Sequence, residues 1–329
     1  MSSCFRFFSS TVRLSPGAAA GHQEPLKADA GPLSERTFLS APHVDIINRV
    51  QHPRICGVRV GSAAPNEARW CHGFERQHVG GEGRTETVVV GAGAAGLMAS
   101  IFAARAGAQV RLLESTSTGG RKILISGGGR CNILPSQLSP SDYVTASSPN
   151  TLKKILLSWP LAQQRTYFEE TLGIRLALEE ESGKLFPASN RAQDVREALV
   201  SEARAAGVTM HFGTRVRGLA QRPPGWRITT DTGELEAGSV VLATGGLSVP
   251  QTGSDGAGFR VTQSLGHTLN ATYPALTPLT TQPAVHAPLA GISLKVRISA
   301  PPPGGPFATT GGFLFTHRGY SGPSVLNAS

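Results

Sequence analysis

The chain has 329 residues, of which 16% are charged and 39 are glycine, a composition typical of a globular protein and unlike that of a fibre or a coiled coil. The formal net charge is +9, and Lys and Arg outnumber Asp and Glu by 22 to 15 from residue 84 onward but by only 9 to 7 before it. Because no run of three or more consecutive Lys or Arg accompanies this excess, composition does not favour nucleic acid or a membrane surface over an anionic small molecule.

The four cysteines form no CxxC motif and have no spacing to histidine that suits zinc. We therefore expect reduced, unpaired thiols of an intracellular protein, and no metal site.

Residues 1–83 are predicted to be a transit peptide followed by a disordered leader. Residues 1–23 contain two arginines, five serines and no acid, which is the composition of an organelle transit peptide. A disordered start with chance composition is the alternative. Residues 24–83 show no sustained helix or strand period, and a loop of this length is uncommon inside a compact domain. We expect a chloroplast or mitochondrial protein if the transit peptide is real, and a cytoplasmic one otherwise.

Ordered structure is predicted from Thr85. Val88–Val90 is an apolar run that ends at a glycine, as buried parallel strands do. Helical spacing follows at Leu97, Met98, Ile101, Phe102 and Arg105. Gly107 ends this helix, and Val110–Leu113 is a second strand. The uncharged stretch from 87 to 104 also raises the possibility of a membrane span, against which its three glycines argue.

Later segments continue an α/β pattern. Residues 151–172 are predicted to form one or two amphipathic helices, broken near Pro160. Asn190 and Gln193 have the spacing of a capping box before a further helix. Strands are predicted at 208–212, at 215–219, in a hairpin from residue 226 and at Val240–Ala243, and from 278 the strands are broken by Pro and Gly.

The segment Gly91-Ala92-Gly93-Ala94-Ala95-Gly96 is a GxGxxG motif between the predicted strand and helix. In this setting Gly91 permits a tight turn, Gly93 lets a pyrophosphate approach the backbone, and Gly96 lets the helix pack closely. The helix N-terminus would then face the phosphates. Glu114 ends the second strand, where its carboxylate can accept hydrogen bonds from ribose hydroxyls and would repel a 2′-phosphate. The motif therefore predicts binding of an FAD- or NAD-like dinucleotide.

A second glycine-rich stretch, GGRKILISGGGRCN, covers residues 119–132. Its glycines permit backbone N–H groups to converge on an anion, and Arg121, Lys122 and Arg130 supply charge of the matching sign. The stretch predicts a second contribution to diphosphate binding. A surface loop with basic residues for solubility is the alternative.

Several segments together resemble one family of flavoenzymes. The segments are GAGAAGLMAS with its Glu-ended second strand, GRKILISGGGRCN, GKLFPASNRAQDV, VLATGGLSVPQTGSDGAGFRVTQSLGHT and LFTHRGYSGPSVL. Over residues 85–329 the chain is similar to bacterial-type NAD(P)/FAD-dependent oxidoreductases, described as aminoacetone-oxidase-like or bile-acid-reducing flavoproteins.

The resemblance implies an α/β fold: a Rossmann-like FAD-binding domain of the glutathione-reductase type at 84–278, interrupted by a β-rich insert that starts at 279–329 and is incomplete. It implies FAD as cofactor and NAD(P)H as electron donor. The implied cofactor-binding residues are Gly91, Gly93, Ala94, Ala95, Gly96, Glu114, Arg121, Lys122, Gly127, Gly128, Gly129, Arg130, Cys131, Asn132, Val216, Thr244, Gly245 and Gly246.

Two departures from the family pattern matter. A polar run usually follows GGGRCN, whereas Ile133-Leu134-Pro135 follows it here, which puts polar contacts near the flavin in doubt. Family members also continue past the LFTHxGxSGP motif, so we expect a C-terminally truncated gene model or a remnant.

The catalytic residues are not specified by the sequence. His317 and Cys131 are weak candidates, since a lone His is more often structural and no second cysteine lies near Cys131. The leading hypothesis is an FAD-dependent oxidoreductase that moves a hydride between a nicotinamide cofactor and a small organic substrate, with no nucleic acid and no membrane span. The alternatives are a truncated, non-catalytic paralogue and a flavoprotein acting on RNA, although the sequence contains no basic patch interleaved with aromatic residues.

Overall fold

The computed structural model describes residues 12–14, 86–143, 148–300 and 307–329. The predicted transit peptide and leader lie outside the described residues except for Val12–Leu14.

The strands are β1 (Val12–Leu14), β2 (Thr87–Val90), β3 (Val110–Glu114), β4 (Leu134–Pro135), β5 (Leu176–Glu179), β6 (Lys184–Pro187), β7 (Thr209–Phe212), β8 (Val216–Arg222), β9 (Gly225–Thr230), β10 (Gly233–Ala237), β11 (Ser239–Leu242), β12 (Leu279–Thr280), β13 (Ser293–Ala300), β14 (Phe307–Thr316) and β15 (Gly319–Ser321). The α-helices are α1 (Ala94–Arg105), α2 (Arg121–Ile125), α3 (Pro149–Ser158), α4 (Leu161–Thr166), α5 (Ala192–Ala205), α6 (Ala257–Ser264) and α7 (Pro323–Ala328).

The chain divides into two compact units. The first, which we call the Rossmann unit, comprises the described residues of Phe8–Gly119 and Val200–Gly258. The second unit comprises those of Gly120–Leu199 and Phe259–Ser329. The domain boundaries predicted from the sequence, at residues 84, 278 and 279, stay a prediction.

The Rossmann unit contains a five-stranded sheet in the order β1-β11-β2-β3-β7. Strands β11, β2, β3 and β7 are parallel, and β1 adds an antiparallel edge. The predicted strands 88–90 and 110–113 are confirmed as β2 and β3. Their apolar runs are buried, because strands in the middle of a parallel sheet are covered on both faces.

Helix α1 crosses from β2 to β3 as the spacing of its apolar residues predicts. Leu97 and Ile101 are fully buried. Phe102 is 44% exposed, so the buried stripe is narrower than the sequence suggests. The helix ends at Arg105, and Gly107 follows with φ of 89°, a left-handed conformation that favours glycine and stops the helix.

A three-stranded antiparallel meander, in the order β10-β9-β8, connects β7 to β11. It contains the predicted strand at 215–219 and the predicted hairpin from residue 226. Strand β11 follows this meander in the chain. It pairs with β2 on the side opposite β3.

The second unit contains two antiparallel sheets, β4-β6-β5 and β12-β15-β14-β13. The predicted break near Pro160 is confirmed, since α3 ends at Ser158 and α4 begins at Leu161. The predicted capping box is wrong. Helix α5 begins at Ala192 and Asn190 has φ of 55°, so Asn190 is not the residue that caps the helix.

Helix length bears on the possible membrane span at 87–104. Among the residues that the structure describes, no helix has both the length and the apolar character needed to cross a bilayer.

Candidate functional site

The GxGxxG motif lies where the strand order of the Rossmann sheet reverses. Strands β3 and β7 follow on one side of β2, and β11 lies on the other. Ligands of open α/β sheets bind outside the carboxyl ends of the strands at such a switch point. The Gly91 N–H donates to the Leu113 carbonyl oxygen at 2.7 Å, and the Ala243 N–H donates to the Val90 carbonyl oxygen at 2.8 Å. These bonds tie the ends of all three strands together beside the turn.

Two of the three motif glycines are required by the protein itself. Gly91 has φ of 102°, and a Cβ there would lie 2.6 Å from the Ala243 carbonyl oxygen. A Cβ on Gly96 would overlap the Gly91 carbonyl oxygen and lie 3.3 Å from the Ala243 Cβ. The predicted close packing at Gly96 is therefore present. The atom closest to its Cβ position is the Gly91 carbonyl oxygen, in the turn that precedes the helix.

Gly93 differs from both. No atom lies within 4 Å of the position its Cβ would occupy, and its backbone is extended with φ of −76°. Gly93 caps α1 without any side-chain hydrogen bond to the helix, and the first turn contains no acid. The first N–H groups of a helix have no intrahelical acceptor, and they carry the positive end of the helix dipole. The protein therefore leaves open space in front of an uncapped helix N-terminus.

Glu114 is 9% exposed and its carboxylate already accepts hydrogen bonds from the protein. The Ala92 N–H donates to Oε2 at 2.7 Å. The Thr116 N–H donates to Oε1 at 2.8 Å, and the Thr116 Oγ1 lies 2.7 Å from the same oxygen. The Ser115 Oγ also lies 3.4 Å from Oε1, so Oε2, which accepts one bond, is the oxygen with capacity for another donor. Glu114 thus fixes the glycine turn in addition to its predicted role toward ribose, which stays a prediction.

Sequence reasoning missed the residues that hold Glu114. Thr116 lies two positions after Glu114, and Ser and Thr side chains often form hydrogen bonds with groups this close along the chain. This spacing is the feature of the sequence from which the contact could have been predicted. Gly253, which the sequence did not mark as a site residue, also lies near this acid. Its Cβ would lie 3.5 Å from Thr116 Cγ2 and 3.9 Å from Glu114 Oε1. The 252–254 segment therefore lies against the carboxylate.

The predicted segment Thr244–Gly246 follows β11 directly and lies beside the turn. The Thr244 Cα would be 3.1 Å from a Cβ on Gly91. Gly258 lets α6 approach, because a Cβ there would overlap the Thr244 hydroxyl. Val216 is buried at the start of β8 in the same unit. The structure thus brings the motif, Glu114 and Thr244–Gly246 together within the Rossmann unit.

The basic glycine-rich stretch lies almost entirely in the second unit and begins with a short helix. Residues Arg121–Ile125 form α2, with Ile123 buried and Arg121 exposed. A tight turn follows in which Gly127, Gly128 and Gly129 have φ of 55°, 69° and 85°. Gly127 is held closely, since a Cβ there would lie 2.9 Å from the Asn132 nitrogen. This left-handed run explains why three glycines are needed in succession.

The Arg130 guanidinium is engaged within its own unit. Its Nη1 donates to Glu179 Oε1 at 2.9 Å, and its Cζ lies 4.1 Å from the centre of the Phe186 ring. The hydrogen bond from the Ser182 hydroxyl, and then Arg130, hold the pKa of Glu179 below its usual value. Arg130 is therefore partly neutralised, and the assignment of Arg121, Lys122 and the 127–132 turn to the cofactor stays a prediction.

The two catalytic candidates occupy contrasting positions. Cys131 is fully buried with φ of 64°, and its thiol is not in a disulfide. His317 is exposed in the turn between β14 and β15. Both roles stay predictions. Among the described residues, no group of three or more His, Cys, Asp or Glu side chains could hold a metal ion.

The donor set of the Rossmann unit fits the adenosine diphosphate part of FAD. A diphosphate has room at Gly93 and N–H donors on α1, and the carboxylate of Glu114 lies at the end of the neighbouring strand. The fit depends on the open space next to Gly93. At Gly91 and Gly96 the corresponding space is occupied by protein atoms.

Comparison with known proteins agrees with this geometry. Residues 85–317 match the family described as HI0933-like protein Rossmann domain. The chain is 34% identical over 214 residues to 3-dehydro-bile acid delta(4,6)-reductase of Clostridium scindens, covering 64% of this chain and 51% of the relative. It is 32% identical over 254 residues to ribosomal RNA dihydrouridine synthase of Escherichia coli, covering 75% and 60%.

Among solved structures, the 3-ketosteroid-delta4-(5alpha)-dehydrogenase of Rhodococcus jostii RHA1 in complex with 4-androstene-3,17-dione overlaps 58% of this chain and 56% of its own. The overlap has 19% identity and a TM-score of 0.43. The chain spans 51% and 60% of the length of these two curated relatives.

The predicted α/β Rossmann fold of the FAD-binding type is confirmed, and so is the predicted family of FAD-dependent oxidoreductases. The match covers well over half of the chain, and the four parallel strands of the sheet, the glycine turn and Glu114 all lie inside it. The chain belongs to the HI0933-like family of Rossmann-fold proteins.

Proposed function

We propose that the protein is an FAD-dependent oxidoreductase that transfers a hydride between a nicotinamide cofactor and an organic substrate. The observation that carries the proposal is the open space at Gly93, in front of an uncapped helix N-terminus at the switch point of the sheet. Bound FAD supplies the hydride chemistry, which the side chains of this chain lack. The chain contributes N–H donors toward the diphosphate, while Glu114 keeps the turn in place.

The names of two relatives suggest the chemical class of the substrate. Reduction at the 4,6 positions of a 3-dehydro bile acid and formation of dihydrouridine both saturate a carbon–carbon double bond conjugated to a carbonyl group. We therefore propose a substrate with a conjugated carbonyl, reduced by one hydride and one proton. NAD(P)H is the proposed electron donor. From the composition of residues 1–23 we also propose an organelle location.

A matched pair of glycine variants tests the cofactor assignment. Gly93→Val places a side chain in open space, so the fold should tolerate it while the diphosphate is displaced. Gly218→Val is the control, since Gly218 also has no atom within 4 Å of its Cβ position and does not have positive φ. We expect the Gly93 variant to lose bound flavin, measured by visible absorbance per chain, and the Gly218 variant to keep it. Equal flavin content in both variants would contradict the assignment.

Reduction of RNA is the second candidate, because a relative 32% identical over 254 residues is named a ribosomal RNA dihydrouridine synthase. The two substrate classes separate in one assay. The protein and NADPH or NADH are incubated either with a steroid enone or with uridine-containing ribosomal RNA. The masses of the steroid and of the uridine nucleosides are then measured by mass spectrometry. A gain of about 2 Da by the steroid alone supports a small-molecule reductase, and the same gain by uridine supports the RNA candidate, since each reduction adds two hydrogens.

A further inference from the structure

Two segments of the Rossmann unit lie beside Glu114 and come from different parts of the sequence. We call the first one, residues 213–215 between β7 and β8, the first wall. The Thr214 N–H donates to the Glu114 carbonyl oxygen at 2.8 Å, and the Gly213 N–H donates to the Thr116 carbonyl oxygen at 2.9 Å. These two bonds fix the first wall to the end of β3.

The second wall is residues 246–256, in the link between β11 and α6. It approaches the acid at Gly253, where a Cβ would lie 3.9 Å from Glu114 Oε1. The loop is closed at its base, since the Gly256 N–H donates to the Gly246 carbonyl oxygen at 3.2 Å. If a ribose is bound at Glu114, the two walls therefore border the adenosine of the cofactor.

An ion pair joins the two walls. Arg215 Nη1 donates to Asp255 Oδ2 at 2.7 Å, and the two side chains are 34% and 31% exposed. Both residues are held by further bonds: the Arg215 N–H donates to Asp231 Oδ1 at 2.9 Å, and Asp255 Oδ1 accepts from the Ala257 N–H at 3.0 Å. An ion pair between residues that are already fixed loses less side-chain entropy than one between free side chains. The sequence does not predict this pair, because its partners are 40 positions apart.

The second wall contains a residue in an unfavourable backbone conformation. Val249 has φ of 50° and ψ of 68°, in the left-handed region where a β-branched residue is an outlier. Pro250 follows it, and a residue before proline favours extended backbone. Val249 is also 44% exposed, so its side chain gains little from burial. Such a conformation persists only where the surrounding contacts hold it.

We propose that the Arg215–Asp255 ion pair positions the second wall for the cofactor, so that the adenosine of FAD binds a preformed site. The inference rests on the proposed function, because it takes the ligand beside Glu114 to be a ribose. Arg215 and Asp255 act through the loop and are positioning residues. Without the pair, the strain at Val249 favours other loop conformations. The apparent affinity then falls in proportion to the fraction of molecules that keep the loop in place.

The test measures binding of ADP to the flavin-free full chain by isothermal titration calorimetry. Arg215→Gln removes the cation, and Asp255→Asn removes the charge while keeping an acceptor oxygen for the Ala257 N–H. We expect each variant to bind ADP about tenfold more weakly than the wild type. Arg215→Lys keeps a cation at this position and should retain most of the affinity.

A second substitution tests whether backbone strain is the reason. Asparagine adopts the left-handed conformation more readily than valine, so Val249→Asn relieves the strain at an exposed position. Added to Arg215→Gln, it should restore part of the lost ADP affinity, and by itself it should change the affinity little. Weaker binding in Arg215→Gln without this rescue would assign the effect to direct contact with the ligand and overturn the positioning role.

Arg111→Gln is the matched control. It removes an ion pair with Glu86 in the same unit, with a separation of 3.0 Å and exposures of 30% and 17%, near the opposite end of β3 from Glu114. It should lower the thermal unfolding temperature and leave ADP affinity unchanged. Equal ADP affinity in the wild type, Arg215→Gln and Asp255→Asn proteins would overturn the proposal, and so would an equal loss of affinity in Arg111→Gln.

This proposal and the proposed function fail separately. A wild-type protein that binds neither ADP nor FAD would reject the proposed function itself. A wild-type protein that binds both, with the same affinities in Arg215→Gln and Asp255→Asn, would reject only the positioning role of the ion pair.

Discussion

Replacing Glu114 tests whether its carboxylate serves the protein, the cofactor or both. The carboxylate is 9% exposed and accepts from the Ala92 and Thr116 N–H groups at 2.7 and 2.8 Å. Hydrogen bonds to a charged group contribute about 1.5–3 kcal/mol each, so Glu114→Ala should lower the free energy of unfolding by about 3–6 kcal/mol. This is a large fraction of the roughly 5–15 kcal/mol that stabilises a typical domain.

The loss arises because Ala92 is fully buried and its N–H would have no acceptor in the alanine variant. Urea denaturation of the flavin-free protein measures the effect without any contribution from the cofactor. Thr116→Val is the partial variant: it removes the hydroxyl at 2.7 Å and keeps both backbone bonds, so it should cost about 1 kcal/mol.

Glu114→Gln separates the two roles further, since the amide oxygen can replace one acceptor but not both, and the charge is lost. If the carboxylate also binds ribose, FAD affinity measured by calorimetry should fall at least tenfold in Glu114→Gln and much less in Thr116→Val. A Glu114→Ala protein within about 1 kcal/mol of wild type in stability would refute the structural role of this carboxylate.

Two further changes test the remaining geometry. Gly96→Ala should destabilise the Rossmann unit by about 3 kcal/mol or more in thermal unfolding, because its Cβ would overlap the Gly91 carbonyl oxygen; unchanged melting would contradict the observed packing. Glu179→Gln should be less stable than wild type at pH 7, with the difference fading as the pH falls below about 4.5. The pKa of Glu179 is lowered on folding by Ser182 and Arg130, so its stabilising effect is present above the unfolded pKa and is lost on protonation. A difference that persists at pH 2–3 in a denaturation series would show that charge is not the cause.

Local patterns were predicted most reliably. The strand, glycine turn and helix at 87–105 depend on neighbouring residues, so alternation and spacing were sufficient to place β2, α1 and the helix end before Gly107. Short segments were less predictable. No helix was predicted at Arg121–Ile125, which forms α2, and Asn190 was expected to cap α5 but adopts a left-handed conformation just before it. A helix as short as α2 has too few positions for a period, and a cap depends on a backbone angle that composition does not fix.

The sequence by itself determined that residues 87–114 form a strand, a glycine turn, a helix and a second strand, because the apolar spacing of each element is local and the group closest to Gly96 is the carbonyl oxygen of Gly91, five positions earlier. Only the tertiary structure decided what surrounds that motif. Ala243 reaches Gly91 because β11 pairs with β2 although most of the second unit and the meander separate them along the chain, and Glu114 finds Ala92 through the pairing of β2 with β3. The hydrogen bond between His286 and Tyr320 in the second unit is of the same kind, since the fold of β12–β15 brings these two residues together. Contacts between distant residues depend on which strands pair, and no local period in the chain records that choice.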